Sequence, residues 1–553
     1  MDLAMLHGWQ AIAVGYGAVQ GSMWLSLALN HAPLSRYFLS PLVAAPLTVI
    51  AGLSVVAANS FIPGMSAVDG VIQWAMGLSL GATLGYIGGQ ECAGLQPSNR
   101  VYQRGTLISE QNREDSSKLP QRSADRAIRL AGRDVRAEDE TKHFKMIGTT
   151  GTGKSTAIQE ILRSALARGD RAIIADPDGG YTQRFFSAAR GDKILNPFDS
   201  KSVKWDLFGE INTAYDVDQL ARSFIPDHDG ADRSWRAYAR TFFTAVTRQA
   251  RDAGIRSVAE LYRLLVVAEP KELRTLVEGT PAQPFLDEHN SRMFDSIRSV
   301  TASAVAALEY VAEQKATELS VREWVRSESP GVLFMPYKAG QIPALRSIIS
   351  GWMRLAIFEK MHSVEEGLES SGEKNKPLWF VVDELDALGQ IDGLKDALVR
   401  LRKFGGRCVL GFQSIAQVSG TYGQSDAHTI VENCSNTLIL RCSASEGGGT
   451  ARFASQLIGD REILRTTLST IHRDFDQVES HSRSEHFAVE PALMPSQIEQ
   501  LPDLVGYLKY ASEPQWNRVR LVPWAERNVA SFFSASRTRG QNKKFAIDGF
   551  DYD

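Results

Sequence analysis

The stretch Gly148-Thr149-Thr150-Gly151-Thr152-Gly153-Lys154-Ser155 carries the first chemical signal in this chain. It matches G-x-x-x-x-G-K-[ST]. In that spacing glycines let backbone N–H groups wrap a row of phosphates, a lysine brings a cation to the β and γ phosphates, and a hydroxyl joins the shell of Mg2+. The pattern has this meaning only between a strand and a helix. His143 to Gly148 reads as a strand, and Thr156 to Ala167 has the period of a helix. The loop Gly148 to Thr156 is therefore predicted to bind nucleotide, with Lys154 on the phosphates and Ser155 on the metal.

A second segment, Leu378-Trp-Phe-Val-Val-Asp383-Glu384, is an apolar strand that ends in two acids. Placed beside the P-loop strand, Asp383 would hold Mg2+ through water and Glu384 would polarise the attacking water. Two acids at that point favour hydrolysis over mere binding, so an ATPase is expected rather than a nucleotide-gated scaffold. A third strand, Arg407 to Gln413, ends in an amide suited to sensing the γ phosphate. Upstream, the helix Leu394 to Phe404 carries Arg400, Arg402 and Lys403. A guanidinium from Arg400, Arg402 or Arg407 could cross a subunit boundary as an arginine finger; the alternative is a solvated basic face. Asp176 and Asp178 lie in the turn after another strand, where near-site and turn-capping roles are both open.

These residues need a scaffold. Short apolar runs alternate with helical patterns from about residue 100, which implies β-α-β units on a mostly parallel sheet. The strands are expected at His143 to Gly148, Arg171 to Asp176, Gly331 to Tyr337, Leu378 to Asp383, Arg407 to Gln413 and Asn436 to Cys442. Leu504 to Tyr510 and Val519 to Val522 are expected at the sheet edge. Tyr215 to Ser327 has almost no β signal but strong helical periodicity, as in Trp235 to Arg251 and Val258 to Val267. The fold class is α/β: a RecA-like P-loop domain with an inserted all-α domain.

With 553 residues, 61 Lys+Arg against 64 Asp+Glu and 43% hydrophobic residues, neither a small module nor a uniformly basic or disordered chain fits. The four cysteines form no C-x-x-C pair, which argues against a zinc site and for reduced thiols. Charge is unevenly spread. In the first 90 residues only Asp2, Arg36 and Asp69 are charged, and three apolar stretches offer membrane spans: Trp9 to Leu29, Pro41 to Ala58 and Val71 to Gly89. Two spans and three are both open, the first being the weakest. No signal-peptide pattern is present, so the segment is expected to remain in the mature protein. Arg100, Arg104, Arg113, Lys118, Arg122 and Arg126 follow and put the large remainder in the cytoplasm. Gly77, Gly81, Gly85 and Gly89 line one helix face, which suggests self-association in the membrane. The organisation expected is an anchor over 1–90, a nucleotide-binding domain over 91–214 and 328–533, a helical insertion over 215–327, and a flexible tail over 534–553.

This combination resembles the coupling proteins of type IV secretion and bacterial conjugation, the TraG/TraD and TrwB-like family, over nearly the whole chain. The match adds Gly411-Phe-Gln-Ser-Ile-Ala-Gln417, Asn433-Cys-Ser-Asn436 leading to Arg441, and Met494-Pro-Ser-Gln-Ile-Glu-Gln-Leu-Pro502. The resemblance implies a homo-hexameric, multi-pass motor in the bacterial inner membrane. Such a motor uses ATP and Mg2+ to deliver a relaxase bound to single-stranded DNA, with double-stranded DNA as a second form, to the secretion channel. It also implies Lys154, Asp383, Glu384 and Gln413 as the site residues and Arg402 as the best match to the arginine finger. A third apolar segment departs from the usual two membrane helices. Alternatives are a type IV receptor for protein effectors, an FtsK/HerA-like translocase and the channel's assembly ATPase. The last two lack support in a visible winged-helix module or a large soluble N-terminal domain.

Overall fold

The computed structural model describes residues 3–29, 34–61, 70–94, 100–110, 127–227, 231–327, 329–365, 376–471, 480–524 and 529–530. The tail after residue 530 and the basic positions 113–126 lie outside them. The chain forms two compact units, Met1–Tyr102 with Ile463–Ala488, and Gln103–Glu462 with Val489–Asp553.

In the first unit three apolar stretches form helices α1 (Leu3–Leu29), α2 (Leu34–Phe61) and α3 (Gly70–Gly94). Two of them contain windows long and apolar enough to cross a membrane, Ile12–Leu29 and Arg36–Ser54; α3 has no such window among the described residues. Helix α2 runs through Pro41 and Pro46. Pro41 cannot donate to the carbonyl of Tyr37, and the Ser40 hydroxyl does so instead at 2.8 Å, which keeps that carbonyl satisfied. The same Ser40 oxygen accepts from Gln20 Nε2 at 2.6 Å and Trp24 Nε1 at 2.9 Å, joining α1 to α2.

The glycine face of α3 is occupied from within the chain, which corrects the self-association expected of it. A Cβ on Gly85 would lie 2.3 Å from Val19 O and Ser22 Oγ, and one on Gly89 would lie 2.6 Å from Ser26 Cβ. The missing side chains let α1 approach the backbone of α3, so this stripe holds the helices of one protomer together.

The second unit is built on a ten-stranded sheet. In chain order its strands are β1 (Ile108–Glu110), β2 (Phe144–Ile147), β3 (Arg171–Pro177), β4 (Lys193–Ile194), β5 (Val332–Tyr337), β6 (Leu378–Val382), β7 (Gly406–Phe412), β8 (Asn436–Ile439), β9 (Val505–Lys509) and β10 (Trp516–Arg520). Their order across the sheet is β1-β10-β9-β8-β2-β7-β6-β3-β5-β4. From β8 to β4 every pairing is parallel, and β9 pairs antiparallel with both β8 and β10. Two expectations change here. The pair β9 and β10 is internal, because the short strand β1 adds in parallel to β10 and forms the edge. Strand β7 separates the P-loop strand β2 from the acidic strand β6, which were expected to be neighbours.

Parallel strands covered on both faces are apolar at nearly every position, and β3, β5 and β6 read that way. Ala172, Ile174, Phe334, Trp379 and Val381 pack on one side with the helix Lys154–Arg168. Ile173, Ala175, Leu333, Met335, Phe380 and Val382 pack on the other, in a cluster that includes Leu220, Phe242, Phe243 and Ile297 from the helices between residues 214 and 326. The main members there are Ala214–Phe224, Arg233–Asp252 and Ser291–Val305. Helix Ile342–Glu365 lies in the same layer and brings Trp352 to within 5.8 Å of Trp205, centroid to centroid. Two strands not expected from sequence, Asp460–Ile471 and Ser480–Pro491, form a separate three-stranded sheet with Arg100–Gly105; their many polar residues dilute any apolar alternation.

Candidate nucleotide site

Because β2, β6 and β7 are parallel, their carboxyl ends meet at one rim, and the residues that follow them form the site. The loop after β2 leads into the helix Lys154–Arg168, with Thr156 in its first turn. Gly151 and Gly153 adopt φ of 78° and 118°, in the left-handed region that other residues rarely enter. Gly153 also has no room for a side chain, since a Cβ would meet Leu504 Cδ2 at 2.9 Å and Leu521 Cδ1 at 3.0 Å. The loop is anchored from behind. Thr149 N donates to Arg441 O at 2.9 Å, and Leu504 N donates to Thr152 O at 2.9 Å. Arg441 itself pairs with Asp503 at 2.7 Å, so segments far apart in sequence converge on this loop.

Lys154 is buried, and its ammonium donates to Gly148 O at 2.7 Å and Thr149 O at 3.1 Å, carbonyls of its own loop. Burial lowers its pKa, while Asp383 and Glu384 oppose that shift. Ser155 Oγ donates to Asp383 Oδ2 at 2.7 Å. This contact crosses over the intervening strand β7, and Gly411 permits it: a Cβ there would lie 2.3 Å from Asp383 O and 2.9 Å from Asp383 Oδ1. Glu384 is raised in pKa by burial and then by Asp383 and Asp386, with Lys154 acting against them. Gln413 links the parts, accepting from Thr150 Oγ1 at 2.9 Å and donating to Glu384 Oε1 at 3.3 Å.

The fold therefore brings together Gly148 to Thr156, Asp383, Glu384 and Gln413. It does not bring Arg400, Arg402 or Arg407 to them. Those residues stand at or before the amino end of β7, and the site stands at its carboxyl end, about 20 Å away for seven residues of strand. Arg407 is held there by Glu140 at 2.9 Å, whereas Arg400 and Arg402 are exposed. Asp176 caps a turn: its carboxylate accepts from Tyr181 N at 3.0 Å and Thr182 N at 2.7 Å, and burial pushes its pKa up to about 6. Asp178, at φ 55°, forms the bend before it.

Two tyrosines at this rim have no counterpart in the sequence reading. Tyr181 donates to Asp383 Oδ2 at 2.7 Å. Tyr337 ends β5 beside Pro177, with its hydroxyl buried and without a hydrogen-bond partner. The available signal was position at the carboxyl end of a strand for Tyr337 and in the short helix that follows one for Tyr181.

The residues fit a nucleotide with Mg2+ on three observations. Asp383 Oδ1 is buried with no partner, so one oxygen of the carboxylate that accepts from Ser155 through Oδ2 is left for a cation's shell. The lysine satisfies its ammonium only with loop carbonyls. A Cβ on Gly151 would meet nothing within 4 Å, which leaves the face of the loop open.

Residues 127–522 match the family model of the type IV secretion-system coupling protein DNA-binding domain. Coupling protein TraD of Escherichia coli (strain K12) is 29% identical over 422 residues, 75% of this chain and 57% of TraD. VirD4 of Bartonella henselae is 36% identical over 100 residues, 18% of this chain and 15% of the relative. The chain thus spans little more than half of TraD and a small part of VirD4. Among solved structures, plasmid coupling protein TrwB in complex with the ATP analogue ADPNP superposes with TM-score 0.68 at 27% identity, covering 79% of this chain and 98% of the TrwB chain. TrwB in complex with ADP and Mg2+ gives 0.67 at 28% identity, with the same coverage. The fold is that of a P-loop NTPase with an α/β sheet and a helical part.

Proposed function

The chain belongs to the family of the type IV secretion-system coupling protein DNA-binding domain, and from that premise we propose that it is a membrane-anchored, ATP-driven coupling protein of conjugation. It recruits a relaxase carrying single-stranded DNA and passes it to a type IV secretion channel. The observation that carries this reading is the linked set Thr150, Gln413, Glu384, Asp383 and Ser155, closed by contacts of 2.7 to 3.3 Å around an open glycine loop. Hydrolysis needs a cation on the phosphates, a metal-holding acid and a second acid near the attacking water; Asp383 and Glu384 of this set are the two acids, and Lys154 of the same loop is the cation.

In this reading Gly148 to Thr156 cradle the phosphates, and Lys154 leaves its loop carbonyls for them. Ser155 and Asp383 hold Mg2+, which when bound neutralises charge on the phosphates. Glu384 orients and polarises the attacking water, and Gln413 connects its state to the loop through Thr150. Since Arg402 lies far from its own site, it serves a neighbouring subunit, which requires a ring of protomers; a homo-hexamer is the family's form. Helices α1 and α2 anchor the chain in the inner membrane, and the basic residues after α3 keep the large part in the cytoplasm. The division into anchor (1–90), nucleotide-binding domain (91–214 and 328–533), helical insertion (215–327) and tail (534–553) belongs to the same proposal.

The test is ATP hydrolysis by the detergent-solubilised chain with and without single-stranded DNA over a salt series. Stimulation that fades as salt rises is expected, because phosphate contacts release counterions on binding. Hydrolysis indifferent to DNA would replace a DNA substrate with a protein one.

A further inference from the structure

The short helix Gly180–Phe185 carries a hydroxyl that the nucleotide reading leaves unused. Tyr181 is 2% exposed, and its OH donates to Asp383 Oδ2, the same oxygen that accepts from Ser155 Oγ, each at 2.7 Å. The terminal torsion of an aspartate is broad by itself, so one donor leaves the carboxylate plane loosely set. Two donors converging on one oxygen restrict it and leave Oδ1, which is buried and without a partner, as the oxygen that remains to serve a metal's shell.

The tyrosine is itself firmly placed. Asp176 accepts from the N–H groups of Tyr181 and Thr182 and from Thr182 Oγ1 at 2.6 Å, fixing the start of the helix. Behind it, Gln183 O accepts from Val529 N at 2.8 Å and Ala530 N at 3.1 Å. A side chain held from both directions, with its one polar atom aimed at a second carboxylate, is built to hold that carboxylate still.

We propose that Tyr181 is a positioning residue of the metal site, its hydroxyl orienting Asp383 so that Oδ1 faces the Mg2+ shell. This rests on the reading of Ser155 and Asp383 as the metal-holding pair. Tyr181→Phe removes a single oxygen and keeps the buried ring, so the fold should tolerate it. The full chain in detergent is titrated with a fluorescent ADP analogue, first in EDTA and then across a Mg2+ series.

Affinity in EDTA is expected to stay within about twofold, while the Mg2+ concentration needed for half the metal-dependent gain rises about tenfold, as for other residues that support metal ligands. An unchanged Mg2+ response would overturn the proposal. So would weaker binding in EDTA, which would make the hydroxyl a general support of the loop, or a lowered Mg2+ requirement, which would make it a competitor of the metal. Ser155→Ala, measured in parallel, separates the two levels. If it too leaves the Mg2+ response unmoved, the metal-site reading has failed and the tyrosine proposal with it; if it shifts the response and Tyr181→Phe does not, only the tyrosine proposal has failed.

Discussion

Replacing Glu384 by glutamine separates chemistry from binding at this site. The amide keeps the size of the side chain and a partner for Gln413, which now lies 3.3 Å from Glu384 Oε1, so the loop and Asp383 should stay in place. What is lost is the basic oxygen. A positioned acid–base group contributes about 10²–10⁴-fold, or about 3–5 kcal/mol at 1.36 kcal/mol per tenfold. Lys154, Ser155, Asp383 and Gln413 all remain to stabilise charge and position, so the lower part of that range, about 10²–10³-fold in kcat, is expected. Binding should move the other way. Asp383, Asp386 and Asp178 already place negative charge around Glu384, and removing one carboxylate relieves repulsion with bound phosphates. The assay pairs phosphate release with equilibrium binding of a fluorescent ATP analogue in Mg2+. Turnover within threefold of the native protein, or binding lost in proportion to turnover, would refute the role given to Glu384.

Lys154→Ala should abolish nucleotide-dependent turnover and weaken nucleotide binding while leaving membrane insertion intact, checked by flotation with lipid vesicles alongside the hydrolysis assay; retained hydrolysis would sink the site. Gly85→Leu should push α1 from α3, since a Cβ would sit 2.3 Å from Val19 O, whereas Gly17→Leu should be silent because nothing lies within 4 Å of a Cβ there. Thermal unfolding of the two variants in detergent compares them. Glu210 is fully buried, accepts from Trp205 Nε1 at 2.8 Å and Val321 N at 2.6 Å, and burial pushes its pKa up to about 7. An acid whose folded pKa is raised stabilises fully below its ordinary value of 4.5 and loses that contribution as pH rises to about 7. Glu210→Gln should therefore flatten the fall in thermal midpoint between those pH values, and an unaltered slope would show that Glu210 does not titrate there.

The P-loop was legible because its requirement is local. Glycines at fixed spacing, a lysine and a hydroxyl between a strand and a helix describe one continuous piece of backbone. The α/β class was legible for a similar reason, as strands buried on both faces must be apolar along their length, and the helical stretch after residue 214 follows from its period. Asp383, Glu384 and Gln413 could be picked out as polar residues that end apolar strands.

Strand order was not legible, because which strands pair is set by the packing of helices on both faces of the sheet. The strand β7 between β2 and β6 is the clearest instance, and Gly411 is the device that lets Asp383 reach Ser155 across it. The same limit hid Tyr181, whose partner is 202 residues away. It also hid the owner of the α3 glycine face: a stripe of small residues says that a helix will come close, not which one. Chain-local geometry, capping and periodicity are thus written in the sequence of this protein. The register of distant segments is decided only when the two faces of the sheet and the three apolar helices find their partners, since those choices are made by shape and burial over the whole unit.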